Sequence, residues 1–355
     1  MPFIIIETKI CTVWHMFMIK YSIYSGNPLK STALKGRNPM AHTNEDMELL
    51  KRIKDNIAKV IVGKERVIDM VLCALVCGGH VLIEDVPGLG KTTLVSALAR
   101  SLDCSFRRIQ FTPDVLPTDI TGFTSYNMKT GEREVNFGGI MANVVLADEI
   151  NRTSPKTQSS LLEVMQEGQV TIDGVCYPVP QPFIVLATQN PVEHIGTYPL
   201  PEAQLDRFLL KISVGYPAPE EELNILARNK GSKPLELLKP VASGEDIMRL
   251  RRRHAEMICA EPVLTYIVSI ANSTRRNEKI TLGVSPRGSL ALMNAAMARA
   301  MLQGRGFTLP DDVQYMAEAV LAHRIVISLQ AVQSRETPES LIEEILFKTK
   351  VPGVS

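Results

Sequence analysis

The sequence predicts an α/β fold, a parallel sheet layered between helices, followed by an all-helical region. Three observations carry this prediction. Short, continuously apolar runs at Val81-Leu82-Ile83, Asn143-Val144-Val145-Leu146-Ala147 and Phe183–Thr188 read as strands buried on both faces. Stretches of helical periodicity separate them, which is the pattern of a parallel sheet. Strand patterns stop near residue 217, and beyond a segment holding Gly231, Pro234 and Pro240 only helical periodicity remains.

The chain opens on an apolar stretch, residues 10–24, interrupted by Lys20. It falls short of the roughly 18 apolar residues that span a bilayer, and no small-x-small cleavage pattern follows it. The character changes at Met40-Ala41-His42-Thr43-Asn44-Glu45-Asp46. We expect Met40 to be the native start and residues 1–39 to be a non-native or disordered extension. Lys+Arg 39 against Asp+Glu 38 leaves +1 overall; residues 1–40 hold Lys9, Lys20, Lys30, Lys35 and Arg37 against Glu7, or +4, so the remainder carries −3. A mildly acidic body offers no broad positive field, so no nucleic-acid partner is expected. Cys11, Cys73, Cys77, Cys104, Cys176 and Cys259 lie mostly in apolar surroundings without paired metal-site spacing, as in a reduced, cytoplasmic protein. Cys73 and Cys77 share a helix face, but no third ligand stands near them in sequence.

Leu49, Leu50, Ile53, Ile57 and Val60 predict a helix over 44–59, and Val67, Ile68, Val71, Leu72 and Leu75 a second over 64–76. The apolar turn between them, Val60-Ile61-Val62-Gly63-Lys64, either covers a nucleotide base or only joins two helices. The strand at 81–83 then runs into Glu84-Asp85-Val86-Pro87-Gly88-Leu89-Gly90-Lys91-Thr92-Thr93. Glycines at 88 and 90 let the backbone curl so that successive N–H groups point inward, and the following helix adds the positive end of its dipole. Such a loop holds a nucleoside triphosphate, with Lys91 reaching the β- and γ-phosphates and the Thr92 hydroxyl on Mg²⁺. One departure stands out, because glycine is usual at the position of Asp85, where a carboxylate adds charge near phosphate.

A helix over 93–102 and a strand over 105–110 follow. Residues 112–140 read as an irregular insertion, punctuated by Pro113, Pro117, Gly122, Gly131, Gly138 and Gly139. The strand at 143–147 ends in Asp148-Glu149. Acids at the carboxyl end of a parallel strand lie where such sheets place ligands. Asp148 is expected to hold Mg²⁺ through its water shell and Glu149 to polarise an attacking water; the plainer alternative is that both merely open the next helix, where its dipole favours acids. A helix over 154–167, a hairpin turning at Asp173-Gly174 and the strand at 183–188 come next. That strand ends in Gln189-Asn190, setting Asn190 beside the γ-phosphate and the water, although Asn-Pro alone is only a turn signal. Phe208–Val214 reads as the last strand. Helices are expected over 244–259, 262–274, 286–303 and 310–329, the first opened by the capping box Ser243-Gly244-Glu245-Asp246. Arg249, Arg251, Arg252, Arg253 and His254 read as a solvated charged face, shared with Thr274-Arg275-Arg276.

Five blocks in order resemble ATPases of the AAA+ class, specifically the MoxR type. They are Glu84–Thr92, Asp148-Glu149-Ile150-Asn151-Arg152-Thr153-Ser154-Pro155-Lys156, Leu186-Ala187-Thr188-Gln189-Asn190-Pro191, Leu200–Phe208 with Leu205-Asp206-Arg207-Phe208, and Val284-Ser285-Pro286-Arg287. The resemblance covers roughly residues 45–350, and Asp85 is itself a feature of the MoxR type. It implies ATP and Mg²⁺ as cofactors, an AAA+ αβα nucleotide domain over 40–216, a linker over 217–242 and a helical lid over 243–355. It also implies assembly into rings, usually of six. Asn190 then corresponds to the polar sensor, Arg287 to the lid arginine contacting the γ-phosphate of its own subunit, and Arg207 to a finger reaching the neighbour's nucleotide. For Arg207 the plain alternative is a salt bridge with Asp206 or another acid. Arg152 either faces a neighbour or caps its helix. Two insertions, 121–137 and the hairpin at Asp173-Gly174, point toward the pore or partner surface in this resemblance. The implied activity is that of a chaperone-like motor acting on separate proteins, often with von Willebrand A domains. The alternatives are the motor subunit of a metal chelatase, a nucleotide-switched scaffold with little turnover, and a nucleic-acid motor disfavoured by the charge.

Overall fold

In the computed structural model of the chain, which describes residues 39–86, 88–191, 196–229 and 234–353, two helices, α1 (Pro39–Ala58) and α2 (Glu65–Cys77), lead into β1 (Val81–Glu84). Residues 1–38 of the expected extension, Pro87 and residues 230–233 of the expected linker lie outside the described residues. After the phosphate loop come α3 (Lys91–Ser101), β2 (Phe106–Gln110) and the short α4 (Pro117–Thr121). A hairpin of β3 (Gly122–Tyr126) and β4 (Arg133–Phe137) precedes β5 (Val144–Asp148) and α5 (Pro155–Glu167). A second hairpin, β6 (Gln169–Ile172) and β7 (Val175–Pro178), leads to β8 (Ile184–Gln189), α6 (Glu202–Leu205) and β9 (Leu210–Ile212). The segment expected as a linker instead carries a helix, α7 (Pro219–Asn229).

The sheet runs β2-β5-β8-β1-β9 with every pairing parallel. Strand alternation splits its apolar residues into two layers. Val81, Ile83, Val144, Leu146, Ile184, Leu186 and Leu210 face one side, with α1, α2 and α3. Leu82, Val145, Ala147, Val185 and Ala187 face the other, under Leu161 and Leu162 of α5.

The C-terminal helices are α8 (Gly244–His254), α9 (Glu261–Arg276), α10 (Pro286–Leu302), α11 (Pro310–Leu321), α12 (Leu329–Gln333) and α13 (Pro338–Lys348). They join the first layer rather than forming a core of their own. Ile247, Ile270, Ala295, Val320 and Ile342 belong to the same apolar cluster as the sheet, and residues 43–355 form one compact unit. The capping box at α8 is present: Asp246 N–H donates to Ser243 Oγ (3.2 Å), and Ser243 N–H to Asp246 Oδ2 (2.9 Å).

Three local expectations change. The stretch 112–140 is an ordered helix and hairpin, whose strands are largely solvent-exposed and so carry no clean alternation. The C-terminal region is not wholly helical, since β10 (Ile280–Leu282) pairs antiparallel with β11 (Val326–Ile327). The arginine run on α8 is only partly a solvated face: Arg249 and Arg252 are exposed, but their neighbours turn inward. Arg251 donates to Leu75 O (3.0 Å) and Phe183 O (3.1 Å), Arg253 pairs with Asp46 (3.1 Å) and His254 is buried, because this helix packs against α2.

Candidate functional site

Gly88 (φ 89°) and Gly90 (φ 78°) both adopt left-handed backbone, and a Cβ built on either meets nothing within 4 Å. Conformation, not crowding, therefore requires glycine at these turns. Gly90 is the N-cap of α3, so the first amides of that helix face the loop's mouth with no intrahelical partners. Lys91 is buried and folds back, its Nζ donating to Asp85 O (2.8 Å) and Val86 O (3.3 Å). These loop carbonyls hold the amine close to where phosphate oxygens would take it over.

Asp85 has a task of its own. Its carboxylate accepts from Ser213 Oγ (2.8 Å), from Val214 N–H and from Gly215 N–H (3.3 Å). It thus fastens the start of the loop to the segment leaving β9, with its charge satisfied by those donors rather than aimed at phosphate.

A cleft of about 370 Å³ adjoins the loop. Gly88, Leu89, Gly90 and Thr93 form its loop side; Val60, Ile61 and Val62 from the α1–α2 turn line its apolar side. Ile225 and Arg228 of α7 and Leu235 complete it, so the expected linker supplies a wall. Gly63 (φ 70°) lies against α7: a Cβ there would sit 1.8 Å from Glu221 Oε1. Size and lining suit a nucleotide with an apolar seat for the base and a polar seat for phosphates.

The acids at the end of β5 stand at the same carboxyl edge of the sheet. Thr188 of the neighbouring β8 joins them: its hydroxyl donates to Asp148 Oδ1 (2.6 Å) and accepts from Glu149 N–H (2.8 Å). Asp148 Oδ2 accepts from Arg108 Nε (3.1 Å) and from a terminal guanidinium nitrogen (2.6 Å). Glu149 holds left-handed backbone (φ 59°, ψ 51°), a strained state of roughly 1 kcal/mol or more for a residue with a Cβ. Its carboxylate accepts from Gln110 Nε2 (2.8 Å) and pairs with Arg152 Nε (3.4 Å). Asn190, at the end of β8, is buried, and its carbonyl accepts from Asn151 Nδ2 (3.2 Å).

Thr92 in the first turn of α3 and Asp148 are hard oxygen donors. Among the described residues no cluster of three or more histidines, cysteines and acids could hold a metal. Few protein ligands fit magnesium, which keeps waters and phosphate oxygens in its shell. Cys73 and Cys77 remain packing residues: burial pushes the Cys77 thiol up to about 12, and its sulfur donates to Asn294 O (3.3 Å), with His254 Nε2 at 3.8 Å.

The arginines are placed elsewhere. Arg207 lies between α6 and β9, at the amino edge of β9, whereas the phosphate loop leaves the carboxyl edge of the parallel neighbour β1. It lines a surface groove with Glu163 and Glu167 of α5, and among the described residues it has no salt bridge. Asp206 pairs instead with Arg324 (2.7 Å), which also donates to Phe208 O (2.6 Å) and Leu209 O (3.2 Å). Burial lowers the pKa of Arg324, and the bond to Asp206 opposes that shift. Arg287 is exposed in the first turn of α10; the N-cap of that helix, Ser285, approaches Asp206 (Oγ–Oδ2 3.5 Å), and the Arg287 charge is felt by Arg324. Ser285 thereby brings the start of α10, which carries Arg287, against the residue that precedes Arg207.

Sequence reasoning missed Arg108, Gln110, Thr188 and the α7 wall. The first three meet the acids only through the strand order β2-β5-β8, which no local signal reveals.

Comparison with known proteins adds a second line of observation. Residues 80–210 match the family described as the ATPase family associated with various cellular activities (AAA), and residues 272–345 match the AAA lid domain. The chain is 50% identical over 313 residues to YeaC of Bacillus subtilis, an uncharacterized protein, across 88% of this chain and 98% of that one. It is 41% identical over 319 residues to Chaperone MoxR1 of Mycobacterium tuberculosis, covering 87% and 84% of the two chains. A crystal structure of a proposed ATPase from Cytophaga hutchinsonii superposes with a TM-score of 0.82 at 38% identity, covering 88% of this chain and 97% of that one.

Proposed function

Because the chain belongs to the MoxR-type AAA+ ATPases, we propose that it hydrolyses ATP in a homo-oligomeric ring, of six subunits by resemblance, and uses that cycle to remodel or activate separate partner proteins. The observation that carries this reading is the division of the site. Lys91, Asp148, Glu149 and Asn190 gather at the carboxyl edge of one sheet, while Arg207, which makes no salt bridge among the described residues, stands at the opposite edge. A charge-neutralising arginine so placed serves a second copy of the chain, which makes hydrolysis depend on assembly.

Lys91 leaves the carbonyls of Asp85 and Val86 for the phosphates, and the cleft wall of Val60, Ile61 and Val62 seats the base. Thr92 and Asp148 would hold Mg²⁺, which when bound offsets charge on the phosphate oxygens. Asn190 orients the attacking water, and Glu149 takes its proton once it has left Gln110 and Arg152. Arg207 stabilises the charge that develops on the neighbour's transferring phosphoryl group, and the family resemblance assigns Arg287 to the γ-phosphate of its own subunit. Among the described residues no helix is long and apolar enough to cross a membrane. A cytoplasmic ring acting on von Willebrand A partners follows the family resemblance. The rival reading, a nucleotide-switched scaffold, draws on the clamp that Gln110 and Arg152 place on Glu149.

Steady-state ATP hydrolysis against protein concentration separates the two, comparing the parent with Glu149→Gln. Specific activity that rises with concentration and drops about 10²- to 10⁴-fold in the variant, with ATP binding kept, is the expected result. Flat, near-zero turnover in both proteins would leave the scaffold standing.

A further inference from the structure

Arg108 and Gln110 lie two residues apart on the edge strand β2, so their side chains share one face, and register sets Gln110 beside Asp148. The Arg108 guanidinium spans two partners at once. Nε and one terminal nitrogen hold Asp148 Oδ2, and that terminal nitrogen also donates to Gln110 Oε1 (2.7 Å). Gln110 Nε2 in turn donates to Glu149 Oε2 (2.8 Å). An unbroken chain of hydrogen bonds thus connects the carboxylate assigned to the metal with the carboxylate assigned to the water.

We propose that Arg108 is the built-in counter-ion of Asp148, occupying the cation's place until a divalent ion arrives, and that its departure releases Glu149 through Gln110. This rests on the reading of Asp148 as the metal-holding acid. The asymmetry of burial sets the direction of movement: the Asp148 side chain is 11% exposed and pinned by Thr188, whereas that of Arg108 is 48% exposed and free to swing into water. A buried carboxylate without a cation is costly, so a site that holds a cation in one state needs another in the empty state. The planar fork of arginine holds a carboxylate and an amide together in fixed geometry, which the rotatable donors of a lysine do not impose. Once Arg108 turns away, Gln110 loses the donor that fixes its amide, and Glu149 keeps only the longer contact to Arg152. Arg108 is thus a positioning residue: it acts on the water-activating acid through Gln110 without touching the reacting atoms.

The test is Mn²⁺ binding to the full chain in the absence of nucleotide, followed by the resonance of the free ion. Arg108→Met should tighten Mn²⁺ binding up to about fivefold over the parent, the ratio expected for loss of a modest ion-pair competitor, and adding Asp148→Asn should abolish the gain. Arg108→Lys should give a smaller gain in the same direction. Gln110→Leu should leave Mn²⁺ affinity at the parent's value while raising basal turnover. Equal Mn²⁺ affinity in the parent and both Arg108 variants, or reduced turnover in Gln110→Leu, overturns the proposal. If Asp148→Asn instead binds Mn²⁺ with ATP as tightly as the parent, the assignment of Asp148 itself falls.

Discussion

Replacing Asp85 by glycine restores the residue most phosphate loops carry there, yet in this chain it should be damaging. Asp85 is 7% exposed, and its carboxylate accepts from Ser213 Oγ, Val214 N–H and Gly215 N–H. Removing it leaves two backbone donors unpaired and loosens the loop from the end of β9. A hydrogen bond to a charged acceptor contributes about 1.5–3 kcal/mol, and glycine adds about 0.5–1 kcal/mol of backbone entropy cost. Allowing for partial rescue by water at Gly215, the total loss is about 3–4 kcal/mol, or roughly 4–6 °C in Tm for a chain of this size. Asp85→Asn keeps one acceptor oxygen and should lose only about 1–2 kcal/mol. The assay is scanning calorimetry with titration of a fluorescent ATP analogue, where Asp85→Gly should also bind more weakly because the loop is no longer held open against the cleft. If Asp85→Gly matches the parent in both Tm and affinity, the latch argument is wrong.

Three further outcomes are expected. Arg207→Ala should cut turnover about a thousandfold while keeping ATP binding, and mixing it with Lys91→Ala subunits should restore part of the activity; no recovery on mixing rejects action across an interface. Arg324→Met strips Asp206 of its buried partner and should lower stability by about 2–3 kcal/mol and turnover with it, since Arg207 adjoins Asp206; an unchanged urea midpoint contradicts this. His80 is buried and neutral, its Nδ1 accepting from Val185 N–H (3.0 Å) and its Nε2 facing Met165 O (2.9 Å), and burial lowers its pKa from 6.5 to about 4. Because the unfolded chain binds the proton first, stability is full above pH 6.5 and is lost as pH falls toward 4. His80 alone should remove about 2 kcal/mol between pH 7 and 5, with His254 and His323, also lowered by burial, acting in the same direction. A urea midpoint that holds steady or rises from pH 7 to 5 refutes a neutral His80.

The strands at 81–84, 144–148 and 184–189 were legible because each is apolar on both faces, and the phosphate loop and the Asp148-Glu149 pair because their chemistry is contiguous in the chain. The hairpin of β3 and β4 was not, since Phe123, Tyr126 and Phe137 are half or more exposed and no face of it reads as buried. α7 escaped notice for a related reason: Leu223 and Leu226 point to solvent, and its acidic first turn resembles a loop. Arg108 and Gln110 reach the acids from β2 and Thr188 from β8, so their part required the strand order. That the start of α10 meets Asp206 is likewise a tertiary fact that motif matching does not carry.

The continuous apolar layer that joins the sheet to α8–α13 bears on how such a chain can be inherited and recombined. A gene fragment ending near residue 216 would leave Val81, Ile83 and Leu186 sharing a cluster whose other half, from Ile247 to Ile342, had been deleted. The exposed surface would be that of a core cut open, not of a domain face. The C-terminal helices are therefore not a cassette that can be exchanged between proteins. Selection on either part acts on both, and a substitution deep in α10 or α11 reaches the nucleotide strands through shared packing without touching any residue of the site.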